Sequence, residues 1–166
     1  MVAREPVGDY ARKINAGCRA TTEELLFLGA DDLHFHPGWL EAAAAKLAPG
    51  IGVVGTNDLG SPRVVAGEHA THSLVTRAYA DQHGAIDRPG EILHEGYPHE
   101  YVDDELVGTA KHRCAWAMAL DSHVEHLHPD HDKAPWDELY LAQPGRMDAG
   151  APLYQARRRL WMRPLR

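Results

Sequence analysis

The sequence predicts a single α/β domain in which a largely parallel sheet is covered by helices. Three observations carry this expectation. Apolar runs that read as buried strands, at Leu25–Leu28 and Ile51–Gly55, alternate with stretches of helical periodicity. A chain of 166 residues, 44% hydrophobic, buries one real core and has no room for two. No internal repeat or low-complexity linker divides it.

The elements follow in order. Asp9 to Ala20 carries Tyr10, Ile14 and Cys18 at helical spacing, and Thr21 or Thr22 breaks it before the Leu25 strand. Pro37 suits the first turn of a helix through Trp39–Leu47, which Pro49-Gly50 ends. Ile51–Gly55 is the next strand, Thr56–Pro62 a turn and Arg63–Ala66 a short strand. Ser73–His83 reads as a helix stopped by Gly84, and Ile86–His99 as a Pro/Gly-rich loop long enough to be functional. Tyr101–Arg113 is a helix with an acidic first turn, Cys114–Leu120 a strand, and Ala134–Gln143 and Leu153–Trp161 closing helices.

Composition narrows the function. A net charge of -7 gives no general drive toward nucleic acid or anionic membrane, and the Arg157-Arg158-Arg159 cluster reads as a solvated helix face. Cys18 and Cys114 match no metal or redox spacing. With no signal peptide and no membrane-length apolar run, a cytoplasmic, reduced protein without an integral membrane segment is expected. Twelve histidines, most of them between His69 and His131, point to metal binding or acid–base work. The sharpest local feature is Leu25-Leu26-Phe27-Leu28-Gly29-Ala30-Asp31-Asp32, an apolar run ending in paired carboxylates. Adjacent Asp residues are costly to bury without a cation or donor, so they belong at the strand's carboxyl end, where open α/β sheets bind ligands.

An ordered set of segments resembles the family 2 glycosyltransferases of the GT-A fold. Arg12-Lys13-Ile14-Asn15-Ala16-Gly17 is similar to the family's Arg-Asn-x-Gly segment, and Gly29-Ala30-Asp31-Asp32 to its Asp-x-Asp motif with Gly29 in place of the first Asp. Pro37-Gly38-Trp39-Leu40 resembles the Pro-x-Trp-Leu helix start. Ser73–Arg77 with Gly84–Asp87 resembles the Leu-Val-x-Arg and Gly-x-Phe-Asp stretch, and Asp103-Asp104-Glu105-Leu106 the acceptor-side Glu-Asp-x-x-Leu motif. The resemblance implies a GT-A-like mixed, mostly parallel sheet flanked by helices. Residues 1–66 would form the donor and metal side, 67–131 the acceptor side and 132–166 the C-terminal helices.

The implied activity is sugar transfer, of inverting type, from a nucleotide-sugar donor to a glycan, lipid or protein acceptor, with a divalent metal, Mn2+ or Mg2+, as cofactor. Asp31 would hold the metal, with Asn15 and Asp32 on the donor side. A second ligand would come from His126 or His128, which alternate along Val124–His128, and imidazole suits manganese better than magnesium. Asp104 is the best match to the base, with Asp103 beside it. Residues spaced by about 100° around a helix diverge, so one site cannot easily receive all three of Asp103, Asp104 and Glu105; one carboxylate works and the others solvate or cap. His94 and His99 face the acceptor or solvent, and Trp116, Trp136 and Trp161 stack a sugar or fill the core.

Two further expectations come from the eight residues before Asp9, which leave no space for the family's first, nucleotide-holding strands. The domain would be N-terminally incomplete, with an open sheet edge at Leu25 or Ile51 that invites a second copy or a missing partner segment. A non-catalytic remnant that binds a partner or glycan is the alternative. A third reading comes from His126-Leu127-His128-Pro129-Asp130-His131, which matches the His-x-His-x-Asp-His signature of metallo-β-lactamase-like zinc hydrolases, although no His follows His131 to complete such a site.

Overall fold

A computed structural model describes residues 9–162. Met1–Gly8, on which the expectation of a shortened N-terminal side bears, lie outside the described residues, as do 163–166. The chain is a mixed α/β domain. Helix α1 (Tyr10–Ala20) leads into strand β1 (Leu25–Leu28), and β2 (Leu33–Phe35) follows across the Asp31–Asp32 turn. Helix α2 (Trp39–Ala44), strand β3 (Val53–Asn57) and the short helix α3 (Pro62–Val65) precede β4 (Ser73–Thr76) and α4 (Arg77–Gln82). Helix α5 (Val102–His112), the long strand β5 (Trp116–His126), α6 (Glu138–Leu141) and α7 (Gln143–Arg158) complete the order.

The sheet runs β1-β4-β3-β5-β2. It is mostly antiparallel, which corrects the expectation of a largely parallel sheet: only β3 and β5 pair in parallel. The cause is β4, which lies antiparallel between β1 and β3. Periodicity assigned Ser73–His83 to one helix, but Ser73, Leu74 and Val75 are all buried, as a strand covered on both faces requires. The helix begins only at Arg77, where the Thr76 hydroxyl caps it by accepting from Tyr79 N at 3.2 Å. Arg63–Ala66, expected as a strand, lies instead in and just after α3. Pro62 opens that turn, and Val65 N donates to Ser61 O at 2.9 Å. At the C-terminal side, two expected helices are replaced by α6 and one continuous α7 that runs through Pro152.

Val53 and Val75 face a core built with α1, α4 and α5, while Val54 and Leu74 face a smaller one against α2. Helices thus cover both faces. Strand β1 forms one edge of the sheet among the described residues and β3 is internal, so of the two candidate edges it is Leu25, exposed, that lies on one and not Ile51. Strand β5 does two jobs. It pairs with β3 from Trp116 to Ala119, breaks register so that Asn57 faces His123, and then pairs with β2 from Val124 to His126. This break carries the end of β5 over to the Asp31–Asp32 turn.

Candidate functional site

A cavity of about 340 Å³ opens where the carboxyl end of β1, the end of β5 and the start of α5 meet, and Asp31, Asp32, His126, His128 and Asp103 all line it. Three segments remote in sequence are therefore gathered at one place. Leu127 N donates to Asp32 O at 2.9 Å and His126 N to Asp58 O at 3.1 Å, so backbone bonds fix the turn against β5. Asp58 was not singled out in the sequence. It is buried, accepts from Gly60 N, Ser61 N and the Thr71 hydroxyl at 2.8–3.0 Å, and holds the loop after β3 beneath the cavity.

Asp32 Oδ2 lies 3.1 Å from His126 Nε2 and also accepts from the Tyr140 hydroxyl. Burial opposes its charge, but the bonds from His126 and Tyr140 outweigh it and hold the carboxyl well below the usual carboxylate range. Its other oxygen, Oδ1, is buried without a hydrogen-bond partner among the described residues. A divalent cation suits this donor set. A carboxylate and an imidazole about 3 Å apart match neighbouring ligands that each sit about 2.1 Å from one octahedral ion, and the orphaned oxygen lacks the partner that buried polar atoms normally have. Asp31 is exposed on the cavity rim and is not drawn into this contact.

His128 behaves differently. Strand β5 ends at His126, and His128 caps the short turn Pro129–His131 by accepting from Asp130 N at 3.1 Å through Nδ1. A neutral imidazole has one acceptor nitrogen, so this bond uses the lone pair a metal would need. The same bond ties up the middle histidine of the hydrolase-like motif. Of the two histidines offered by the sequence, His126 meets the Asp32 carboxylate at 3.1 Å, whereas His128 Nδ1 is 3.6 Å from Asp130 on its own turn.

The three acids in the first turn of α5 take different partners, with Asp103 and Asp104 still close to each other. Asp103 lines the cavity and meets buried His69 Nε2 at 3.0 Å; Asp104 accepts from Arg63 at 3.0 Å; Glu105 is buried against Arg157 at 2.6 Å and the Tyr97 hydroxyl at 2.8 Å. Burial acts against the Asp103 charge, yet His69 outweighs it and keeps that pKa below its ordinary value, whereas burial and the Asp103 charge push Asp104 up. Tyr101 precedes the turn in the left-handed region, φ 73°, and its ring stacks on Tyr154 with centres 4.9 Å apart. His69, Asp103 and Asp104 also bring one ligand atom each within 4.8 Å of one another, a second place that could hold a cation.

Asn15 lies elsewhere. It is buried, donates to Leu93 O at 2.8 Å and Glu95 at 3.0 Å, and accepts from Leu93 N at 3.1 Å, pinning α1 to the 86–99 loop. Asn15→Ala strands buried backbone groups and is expected to cost about 1–3 kcal/mol in urea unfolding while leaving metal binding in the cavity unchanged. Trp116, Trp136 and Trp161 are not among the cavity-lining residues, whereas His99 is.

His72, absent from the sequence expectations, is buried beside the cavity with its ring centre 5.0 Å from that of His126 and no partner for Nδ1. Burial and the nearby His126 depress its pKa from 6.5 to about 4. The unfolded chain takes up a proton there that the folded chain refuses, so stability falls as pH drops through that window. With chelator present, the loss is expected to reach about 3 kcal/mol by pH 4. In His72→Gln this part of the acid slope should vanish, as read by urea unfolding at pH 7, 5.5 and 4.5.

Comparison of the chain with protein-family models, curated proteins and solved structures finds no match. No helix among the described residues is long and apolar enough to cross a membrane.

Proposed function

We propose that this chain transfers a sugar from a nucleotide-sugar donor, with a divalent cation held by Asp32 and His126 and Asp103 acting as the base. The observation that carries the reading is the shared cavity. The Asp31–Asp32 turn, the His126 end of β5 and the acidic start of α5 are far apart in sequence, and all three line it. They are the segments whose order resembles the family 2 glycosyltransferases.

A bound cation supplies Lewis-acid compensation for the charge of the departing diphosphate. The chain's own groups do the rest. Asp32 stays ionised, Asp31 sits exposed at the rim, and the Tyr140 hydroxyl orients the Asp32 carboxylate, leaving His126 to the cation. Asp103 is ionised, lines the cavity and is held by His69, and its position there, more than its lowered basicity, favours it as the group that takes the acceptor hydroxyl proton. Asp104, turned to Arg63, is less suited to that role.

The test is calorimetric titration with nucleoside diphosphates and nucleotide sugars, with manganese and with chelator. The expected result is diphosphate binding that requires manganese. Binding that is the same in chelator, or absent at every manganese concentration, would overturn the reading.

A further inference from the structure

We infer that the outer face of the β2–β5 ladder is a second metal site, formed by the imidazoles of His34, His36 and His123, with Glu125 orienting His36. It takes a late transition metal of the zinc, nickel or copper class and staples the two strands together. The inference does not depend on glycosyl transfer.

Its basis is the register. His34 stands opposite Glu125, and His36 N donates to His123 O at 3.2 Å. Because side chains alternate along a strand, these four residues share one face, while Val124 and His126 point to the other. The burial pattern agrees: Val124 is fully buried, and His34 and His123 are exposed. His36 is the centre of the group, with its ring 4.8 Å from that of His34 and 6.0 Å from that of His123.

His36 Nε2 lies 3.0 Å from Glu125 Oε2, and Lys133 Nζ holds the other oxygen of Glu125 at 2.8 Å. That leaves His36 Nδ1 for a metal, in the carboxylate–imidazole–metal order that commonly orients histidine ligands. His34 and His123 are exposed, and their rings turn between staggered rotamers, the movement by which the set would close around His36. Three imidazoles favour zinc, nickel or copper over magnesium and manganese. Strand β2 is three residues long and follows directly on the Asp31–Asp32 turn. A cation joining β2 to β5 on the outer face would therefore hold that turn still on the inner one.

The experiment is zinc titration of the full chain carrying Asp32→Ala and His69→Gln, which remove a ligand from the cavity pair and from the His69–Asp103–Asp104 group. One zinc should bind and raise the melting temperature. Adding His36→Ala or His123→Ala should each weaken binding at least about tenfold, and Glu125→Gln, which leaves all three imidazoles in place, by about 10- to 100-fold. His34 and His123 are exposed, so a His34→Ala/His123→Ala pair tests the site without endangering the fold. Zinc affinity within about twofold of the parent in that pair, or no zinc binding once Asp32 and His69 are replaced, would overturn the inference. Manganese-dependent diphosphate binding is read separately in the chain with Asp32 intact, so failure of one reading is distinguishable from failure of the other.

Discussion

Asp32→Ala is expected to weaken manganese binding in the cavity by about 100-fold or more, since even residues that only orient a ligand are worth about 10- to 100-fold. His126→Ala should do the same. Asp31→Ala should have a smaller effect on the metal alone, because Asp31 is exposed at the rim while Asp32 meets His126 at 3.1 Å. The measurement is titration calorimetry with manganese, checked by the melting temperature of each variant. Unchanged affinity in Asp32→Ala, with loss confined to Asp31→Ala, would transfer the ligand role to the residue the family resemblance favours.

Asp103→Asn is expected to lower turnover by about 10²- to 10⁴-fold while donor binding stays near normal, the pattern of a lost general base. Asp104→Asn should instead change turnover little, because that carboxylate is engaged with Arg63 at 3.0 Å. His69→Gln, which removes the brace at 3.0 Å, should shift the acid limb of the pH–rate profile to higher pH. The direction follows from the bond: His69 holds the Asp103 pKa down, so its loss lets the base protonate earlier as pH falls. A turnover loss confined to Asp104→Asn would reverse the assignment.

Much of the site was legible because its signals are local. An apolar run that stops at two carboxylates announces a ligand-bearing turn, and three consecutive acids at a helix start cannot easily all enter one site. His126 was legible only as one of a pair, and what separates it from His128 is a hydrogen bond made after the strand has ended. Neither strand β4 nor its direction was legible, and Ser73–Thr76 read as the start of a helix. Four residues followed by a helical stretch carry no mark of antiparallel pairing, which is settled by partners about fifty residues before and twenty residues before it. Asp58, His69 and His72 escaped notice for a related reason. Each is an isolated polar residue whose burial is imposed by chain segments distant in sequence, and nothing adjacent to it says so.

The register break in β5 has a consequence for how this chain can vary. Ala119 faces Thr56 and His123 faces Asn57, so the residues between them form a spacer whose length, more than its composition, sets the phase of everything after it. Alternation along a strand makes that phase binary. One residue gained or lost in the spacer would exchange the two faces, sending His126 outward and His123 and Glu125 toward the cavity. Substitutions at Leu120 and Asp121, both exposed, leave the phase intact, whereas an odd insertion there would reverse it without altering a single functional residue. In descendants of this sequence, Leu120 and Asp121 should drift in identity, Ser122, buried and donating to Trp39 O at 2.7 Å, should not, and the stretch should hardly change in length.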